Sequence, residues 1–143
     1  MAADSHRTVT IIRTSAGRFT AVNGRGATLD FGTGDVEDFT PVELLLAAIG
    51  GCTAVDVDIL TTRRAEPESF VVQVGGDKVR DAGGNQMQEL SVTFRLKFPA
   101  GQGGDAAREL LPEAVRRSHD RLCTVSRTVE LGTAVATRIE PVP

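Results

Sequence analysis

The sequence contains no tryptophan and no tyrosine, and it contains only two cysteines, Cys52 and Cys123. Phenylalanine is therefore the only aromatic residue type, so a surface on which nucleotide bases stack is not expected. Positive charge is not in excess, because 16 Lys and Arg face 19 Asp and Glu, which gives a formal net charge of -3 at pH 7, and no basic stripe is present. These features argue against nucleic acid as a partner.

Long hydrophobic runs are missing as well. No stretch reaches about 18 consecutive apolar residues, so neither a membrane span nor a membrane partner is expected. The start, Met1 to Arg7, is polar and does not look like a signal peptide, so we expect a cytoplasmic protein. In that reducing compartment two cysteines are more often free, catalytic or redox-active than joined in a structural disulfide. The length of 143 residues, of which 41% are hydrophobic, favours one globular domain over residues 1–143.

The stretch from Thr40 to Arg64 organises the chain, and it begins with a helix start signal. Thr40 is a good N-cap residue, and Pro41 suits the first helical position because the missing N–H has no partner there in any case. Glu43 follows Thr40 by three residues, which completes a capping box. We therefore predict a helix that begins at this point and ends near Arg64.

The interior of this helix carries the candidate chemistry. Residues Leu44 to Ile49 are apolar on every side, which predicts a helix that is buried all round. Gly50 and Gly51 follow, where each costs roughly 1 kcal/mol relative to alanine, so they indicate a close approach of another backbone. Cys52 comes directly after them.

Alternating and helical patterns assign the remaining elements. The element order is βββ-α-ββ-α-β, which predicts an α+β fold built from hairpins. Asp105 is the expected cap of the second helix, Pro112 is expected to kink that helix or delay its start, and Gly75-Gly76 indicates a bulge. The predicted strands cover 7–14, 18–22, 27–31, 70–79, 89–98 and 134–139, and the predicted helices cover 40–64 and 105–121.

The two cysteines allow two interpretations. They are either unrelated buried thiols or a thiol pair in which Cys52 attacks and Cys123 resolves. A position in the middle of a helix gives Cys52 no dipole stabilisation, so a reactive thiolate there needs a cation. Arg18, at the start of a strand, is the candidate, and the alternative for Arg18 is a solvated charge at a strand end.

A metal centre is a second chemical possibility. Cys52 and Asp56 are four residues apart, as are His119 and Cys123, so a zinc site from these four is conceivable. The signal is weak because no Cys-x-x-Cys motif is present. His119 at a helix end and a solvent-facing Asp56 are the ordinary alternatives, so no metal and no cofactor is predicted.

These motifs resemble the OsmC/Ohr family of small thiol proteins over nearly the whole chain. The resemblance rests on Thr-Pro-Val-Glu-Leu-Leu-Leu-Ala-Ala-Ile-Gly-Gly-Cys-Thr-Ala-Val-Asp-Val, from Thr40 to Val57. A second block is Cys-Thr-Val-Ser, from Cys123 to Ser126, which follows a helix. Within the family, the sequence is most similar to the YhfA-like branch.

The resemblance implies an intertwined homodimer in which two central helices lie back to back between antiparallel sheets from both chains. It also implies reduction of an organic hydroperoxide in oxidative stress defence, with a dithiol as reductant. Cys52 would be the peroxidatic cysteine, Cys123 the resolving one, and Arg18 falls where the family has its catalytic arginine.

One position departs from the pattern of the peroxidase branches. They carry a glutamate directly after the proline, where this chain has Val42, and Glu43 points about 100° away from that direction. We therefore expect slower peroxide reduction than in members that have the glutamate. The alternatives are a non-catalytic protein that binds a small molecule in an apolar pocket at the dimer interface, and a redox sensor.

Overall fold

The computed structural model describes residues 5–143, so the first four residues of the polar N-terminal segment lie outside the described part. The chain divides into two compact units, Met1–Leu46 and Ala47–Pro143. The mixture of antiparallel sheets and helices confirms the predicted α+β class.

The N-terminal unit is a three-stranded antiparallel meander. Its strands are β1 (Val9–Ser15), β2 (Arg18–Asn23) and β3 (Thr28–Gly32), in the order β1-β2-β3. Phe19 and Phe31 are paired across β2 and β3, and their rings stack with centroids 5.7 Å apart. These strands confirm the predicted N-terminal meander to within about two residues.

The central helix, α1 (Pro41–Thr62), begins at the predicted capping box. The backbone N–H of Thr40 donates to Glu43 Oε1 at 2.9 Å, and the backbone N–H of Glu43 donates to Thr40 Oγ1 at 3.3 Å. The hydrogen bonds from the Thr40 backbone and side chain hold the pKa of Glu43 below its ordinary value. Glu43 therefore has a structural role at the helix start.

The two faces of α1 differ in exposure. One stripe, spaced mainly four residues apart, is buried within the chain: Ile49, Gly50, Thr53, Val57 and Thr61. The opposite face leaves Leu45, Val55 and Ile59 exposed, with 60% of Val55 accessible. Within one chain the helix is therefore not buried all round, and complete burial of α1 would require another molecule.

The two glycines of α1 have different surroundings. A Cβ on Gly50 would overlap Cγ2 of Val74, so the first glycine makes room for the Val74 side chain rather than for a backbone. A Cβ on Gly51 would meet nothing within 4 Å in this chain. By length and composition α1 could also cross a membrane, but this is weak evidence because the core helix of a soluble protein passes the same test.

The second sheet is the hairpin of β4 (Ser69–Asp81) and β5 (Gly84–Lys97). The pairing shifts register between Gly75 and Asp77, which confirms the predicted bulge. A Cβ on Gly76 would lie 2.9 Å from the carbonyl oxygen of Gln88, so the bulge depends on a glycine there. β5 begins five residues earlier than predicted, because Asp81 pairs with Gly84 and the turn is only two residues long.

The second helix, α2 (Gln102–Arg117), begins three residues before the predicted start. The prediction that Asp105 caps it is wrong, since the backbone N–H of Asp105 already donates to the carbonyl of Gly101 at 2.9 Å. Gly101 is the N-cap, with a φ of 110° that favours glycine. Pro112 lies inside the helix, so the proline does not delay its start.

Beyond α2 the chain forms a five-residue π-helical turn, Ser118–Leu122, and then α3 (Thr124–Leu131). The predicted strand over 134–139 is wrong for this chain, because none of the five strands within residues 5–143 pairs with it. A strand needs a neighbouring backbone, and alternation of side chains does not provide one. Val135 and Ile139 are 89% and 91% exposed.

Candidate dithiol site

The C-terminal unit brings the two cysteines together. Cys52 lies on α1 and is partly exposed, whereas Cys123 precedes α3 and is fully buried. Both are free thiols, and each shifts the pKa of the other through a side-chain hydrogen bond. The predicted proximity of the two residues is therefore present in the structure.

Cys123 is the N-cap of α3. Its backbone is extended, with φ −74° and ψ 99°, and its sulfur accepts a hydrogen bond from the backbone N–H of Ser126 at 3.4 Å. The hydroxyl oxygen of Ser126 lies 3.3 Å from the same sulfur. The sulfur thus occupies the place in which serine or aspartate oxygen usually caps a helix, where the helix dipole favours negative charge.

The pKa of the Cys52 thiol is raised. Burial is the largest cause, and the hydrogen bond to Cys123, the charge of Cys123 and the carboxylate of Asp56 act in the same direction. The backbone N–H of Val125 opposes them by favouring the thiolate. Cys52 therefore holds its proton more firmly than an ordinary thiol.

The pKa of the Cys123 thiol is lowered. Burial alone would raise the pKa, but the hydroxyl and backbone N–H of Ser126 outweigh it, and they are joined by hydrogen bonds from Cys52 and the Val125 backbone. A sulfur that accepts several hydrogen bonds is stabilised in its charged form. The buried thiol therefore loses its proton more readily than the partly exposed one.

A buried hydrogen-bond chain joins α1 to the segment that leads to Cys123. Ser118 Oγ donates to Asp56 Oδ2 at 2.8 Å, and Ser118 Oγ and Thr53 Oγ1 are 2.7 Å apart. Because the single proton of Ser118 is used on Asp56, Thr53 must donate to Ser118. The backbone N–H of Cys123 donates to the carbonyl of Ser118 at 2.8 Å. This chain holds the π-helical turn against α1 and so positions Cys123.

A cavity of about 260 Å³ has sequence neighbours of both cysteines in its wall, although neither cysteine itself lines it. Thr53, which follows Cys52, and Ser126, which contacts Cys123, both line the cavity. His119 is at its wall, with Nε2 2.9 Å from Glu130 and Nδ1 3.0 Å from Asp120. The rest of the lining is mainly apolar and comprises Ile49, Leu90, Ser91, Val92, Phe94, Val115, Val129 and the charged Glu130.

Arg18 belongs to the N-terminal unit. Its guanidinium pairs with Asp38 at 3.4 Å, and half of the Arg18 side chain is exposed, at 52%. The assignment of Arg18 as the cation that activates Cys52 therefore stays a prediction.

Two of the side chains suggested as zinc ligands, those of His119 and Asp56, form hydrogen bonds with other residues. Among residues 5–143 no group of three or more His, Cys, Asp or Glu side chains is placed to hold a metal ion. His119 uses both ring nitrogens on Asp120 and Glu130, and Asp56 accepts from Ser118.

Sequence reasoning missed the hydrogen-bonding roles of Ser118 and Ser126, although Ser126 belongs to the Cys-Thr-Val-Ser block. Ser126 had a detectable signal, because a serine three residues after a capping position matches the spacing of a reciprocal helix cap. Ser118 had none, because its role depends on a π-helical turn that only the folded chain defines.

The fold and the site together define a class: a small α+β protein in which a cysteine on the central helix lies against a cysteine that caps a later helix. The comparisons name the family. The family described as OsmC-like protein matches residues 32–138, and the chain belongs to that family. This confirms the resemblance drawn from the sequence, while assignment to the YhfA-like branch stays a prediction.

The chain is also similar to individual proteins. An uncharacterised protein of Mycobacterium tuberculosis H37Rv is 33% identical over 125 residues, which cover 86% of this chain and 88% of that protein. An OsmC-like protein of unknown function from Vibrio cholerae has a similar fold, with a TM-score of 0.72, 14% identity and coverage of 88% of this chain and 94% of that chain.

The organic hydroperoxide resistance protein OhrB of Bacillus subtilis has a TM-score of 0.53 and 16% identity, with coverage of 86% of this chain and 90% of that chain. This likeness shows a shared fold.

Proposed function

We propose that the protein reduces organic hydroperoxides with the Cys52–Cys123 dithiol and serves oxidative stress defence in the cytoplasm. The observation that carries the proposal is the pair itself: a partly exposed thiol on α1 next to a buried, more acidic thiol at the start of α3. The mainly apolar cavity, whose wall includes sequence neighbours of both cysteines, suits the organic part of a hydroperoxide. The protein named for organic hydroperoxide resistance adds support through its shared fold.

The chemistry balances in three steps. The sulfur of Cys52 attacks the terminal peroxide oxygen, the O–O bond breaks, and the alcohol leaves with a proton, which leaves a sulfenic acid on Cys52. The sulfur of Cys123 then attacks the sulfur of that sulfenic acid, which forms the Cys52–Cys123 disulfide and releases water. An external dithiol returns two electrons and two protons by thiol–disulfide exchange. Arg18 is retained as a proposed cation for the Cys52 thiolate.

Steady-state turnover tests this function. The protein with a dithiol reductant should consume cumene hydroperoxide faster than hydrogen peroxide, because the cavity wall is mainly apolar. Cys52→Ser and Cys123→Ser should each abolish sustained turnover, whereas Thr128→Ala on α3 should turn over like the wild type. Loss of no more peroxide than in a protein-free control would contradict the proposal.

A second candidate function follows from the cavity alone. A space of about 260 Å³ with a mainly apolar wall can hold a small apolar molecule without chemistry. Native mass spectrometry of the purified protein would then show a retained ligand, and the dithiol would show no turnover with peroxide. This outcome would favour a binding protein over an enzyme.

A further inference from the structure

The cavity of about 260 Å³ belongs to the C-terminal unit alone. Its wall is built from α1, β5, α2, the π-helical turn and α3, and every lining residue lies in the second of the two units. Thr53 follows Cys52 on α1, and Ser126 follows Cys123 by three residues at the start of α3. A molecule held in the cavity therefore contacts both segments that carry the thiols.

The size of the cavity limits what it can hold. An apolar cavity of about 150 Å³ is enough to bind benzene, whereas pockets for drug-sized ligands begin at roughly 300 Å³. At about 260 Å³ this cavity has room for one substituted ring or an aliphatic group of similar size. A long acyl chain would extend beyond it.

The lining of the cavity is apolar in its body and charged at one place. Apolar side chains of β5, α2 and α3 supply most of the wall, and Phe94 is its aromatic member. His119 and Glu130 are the charged members of the lining, and more than half of each side chain is exposed. The charged place is therefore the mouth of the cavity, where the wall meets water.

The positive charge at this mouth is already paired. His119 Nε2 lies 2.9 Å from Glu130 Oε1, and His119 Nδ1 lies 3.0 Å from Asp120 Oδ1. Because both ring nitrogens face carboxylate oxygens, both carry a proton, and the imidazolium has no donor left for a ligand. Two carboxylates thus flank one cation, and the same hydrogen bonds raise the pKa of His119.

The rest of the wall offers no cation to an anionic ligand. No lysine or arginine lines the cavity within the part of the chain that the structure describes. Arg127 of α3 lies outside the wall, and its guanidinium donates to the carbonyl oxygen of Asp120 at 3.1 Å. The hydroxyls of Ser91 and Ser126 line the cavity and can bond a neutral oxygen atom. A carboxylate would instead lose its water without gaining an opposite charge, which is costly.

We propose that this cavity selects uncharged organic molecules of about one ring, and that Glu130, held by His119, disfavours ligands that carry a carboxylate. The inference rests on the proposed peroxide reduction for the reaction itself, and it names the substrate class as compact, uncharged hydroperoxides. Glu130 is the specificity-determining residue, because its carboxylate stands at the mouth by which a ligand enters.

The body and the mouth of the cavity act on an anionic ligand in different ways. A carboxylate cannot enter the apolar body unpaired, so the charged end of such a ligand must stay at the mouth. There it meets Glu130 in contact with water, where repulsion between two charges about 4 Å apart amounts to about a fivefold loss of affinity. The expected discrimination is therefore at least about fivefold.

Binding of two unreactive probes tests this selection without any thiol chemistry. The neutral probe is cumyl alcohol, a benzene ring with a tertiary alcohol, and the anionic probe is the same molecule with a carboxylate on the opposite ring carbon. In NMR titrations cumyl alcohol should shift the methyl signals of Val115 and Val129 in the cavity wall. The anionic probe should bind at least about fivefold more weakly. Equal affinities, or no binding of cumyl alcohol at these methyl groups, would overturn the proposal.

Glu130→Gln removes the charge and keeps an oxygen that can accept the hydrogen bond from His119. It should strengthen binding of the anionic probe by about fivefold and leave binding of cumyl alcohol unchanged. Glu109→Gln removes the same charge from an exposed position of α2 outside the cavity wall and should change neither affinity. An unchanged ratio of the two affinities in Glu130→Gln would contradict the role of Glu130.

The wild-type protein allows the same test without a substitution. A rise in salt from about 0.01 M to about 1 M shortens the Debye length from about 30 Å to about 3 Å, so charges at the mouth are screened. The gap between the two probes should therefore narrow. A gap that does not depend on salt would assign the selection to the apolar body and remove Glu130 from the proposal.

Turnover separates this inference from the reaction on which it rests. With a dithiol reductant, kcat/KM should be higher for cumene hydroperoxide than for its ring-carboxylated analogue, and Glu130→Gln should narrow the difference. Equal kcat/KM values would contradict the cavity as the substrate site. Consumption of neither peroxide, with cumyl alcohol still bound selectively, would refute the peroxide reduction and support the selection by the cavity.

Discussion

Gly50 shows how one absent side chain fixes the packing of α1 on the second sheet. A Cβ there would overlap Val74 Cγ2, while the position of Gly51 is open within the chain. The sequence alone marked both glycines as points of close approach, and the structure separates their surroundings. Of these two glycines, Gly50 is the one that allows close packing inside the chain.

Gly50→Ala should destabilise the protein by about 1–3 kcal/mol, as overpacking of a filled core does. The free energy of unfolding from denaturant titration measures this loss. In a Val74→Ala background the same substitution should cost clearly less, because the overlapping methyl groups are gone. Equal costs in both backgrounds would show that the overlap is not the cause.

Glu43 forms the second half of the capping box, so its side chain contributes to stability rather than chemistry. Glu43→Ala should lower the free energy of unfolding by about 1 kcal/mol and leave peroxide chemistry intact. Glu37→Ala removes the same charge from the exposed loop before the helix and should be nearly neutral. A Glu43→Ala protein with unchanged stability and no activity would make Glu43 catalytic instead.

His119 links two elements of the site. It joins the π-helical turn, through Asp120, to α3, through Glu130, and the hydrogen bonds to Asp120 and then Glu130 raise its pKa above the ordinary value. Both ring nitrogens donate only when the imidazole is protonated. The docking of α3, and hence of the Cys123 cap, is therefore sensitive to pH.

The stability that protonated His119 contributes should be fully present below about pH 6.5, the unfolded-state pKa, and should be lost as pH rises through the higher folded-state pKa. His119→Ala should remove this decline from a plot of unfolding free energy against pH. His6→Ala, at the chain's other histidine, serves as the control and should retain it. An unchanged decline in His119→Ala would exclude this residue as its source.

Elements defined by local chemistry were predictable, and those defined by contacts were not. The start of α1 was predicted because Thr40 and Glu43 bond to each other's backbone. The start of α2 was missed because a glycine backbone, rather than a capping side chain, begins that helix. The prediction of a strand over 134–139 was wrong because alternation of apolar and polar residues does not show which backbone the segment would pair with. The dithiol was predicted, but the hydrogen bonds of Ser118 and Ser126 depend on tertiary structure.

At the scale of the whole molecule, unpartnered apolar surface requires an explanation. One face of α1 exposes Leu45, Val55 and Ile59, and the C-terminal segment exposes Val135 and Ile139. Burial of this much apolar surface in water is favourable by roughly 25 cal/mol per Å². We propose that a second copy of the chain covers the α1 face, which is the homodimer that the sequence predicts.

Light scattering at low micromolar concentration should therefore give twice the chain mass of 15.2 kDa. Val55→Glu should lower the measured mass toward that of one chain, because it places a charge on the exposed stripe of α1. Ala100→Glu, on an exposed loop, should leave the mass unchanged. A stable folded wild-type monomer would contradict the dimer.

Oxidation by one equivalent of an organic hydroperoxide tests the central claim most directly. The wild-type protein should form an intramolecular Cys52–Cys123 disulfide, seen by mass spectrometry as a loss of two hydrogens with no free thiol remaining. Cys123→Ser should stop at the sulfenic acid or over-oxidise, and Cys52→Ser should not react with the peroxide. If the wild type keeps both thiols free under excess peroxide, the dithiol does not reduce hydroperoxides and the account is wrong.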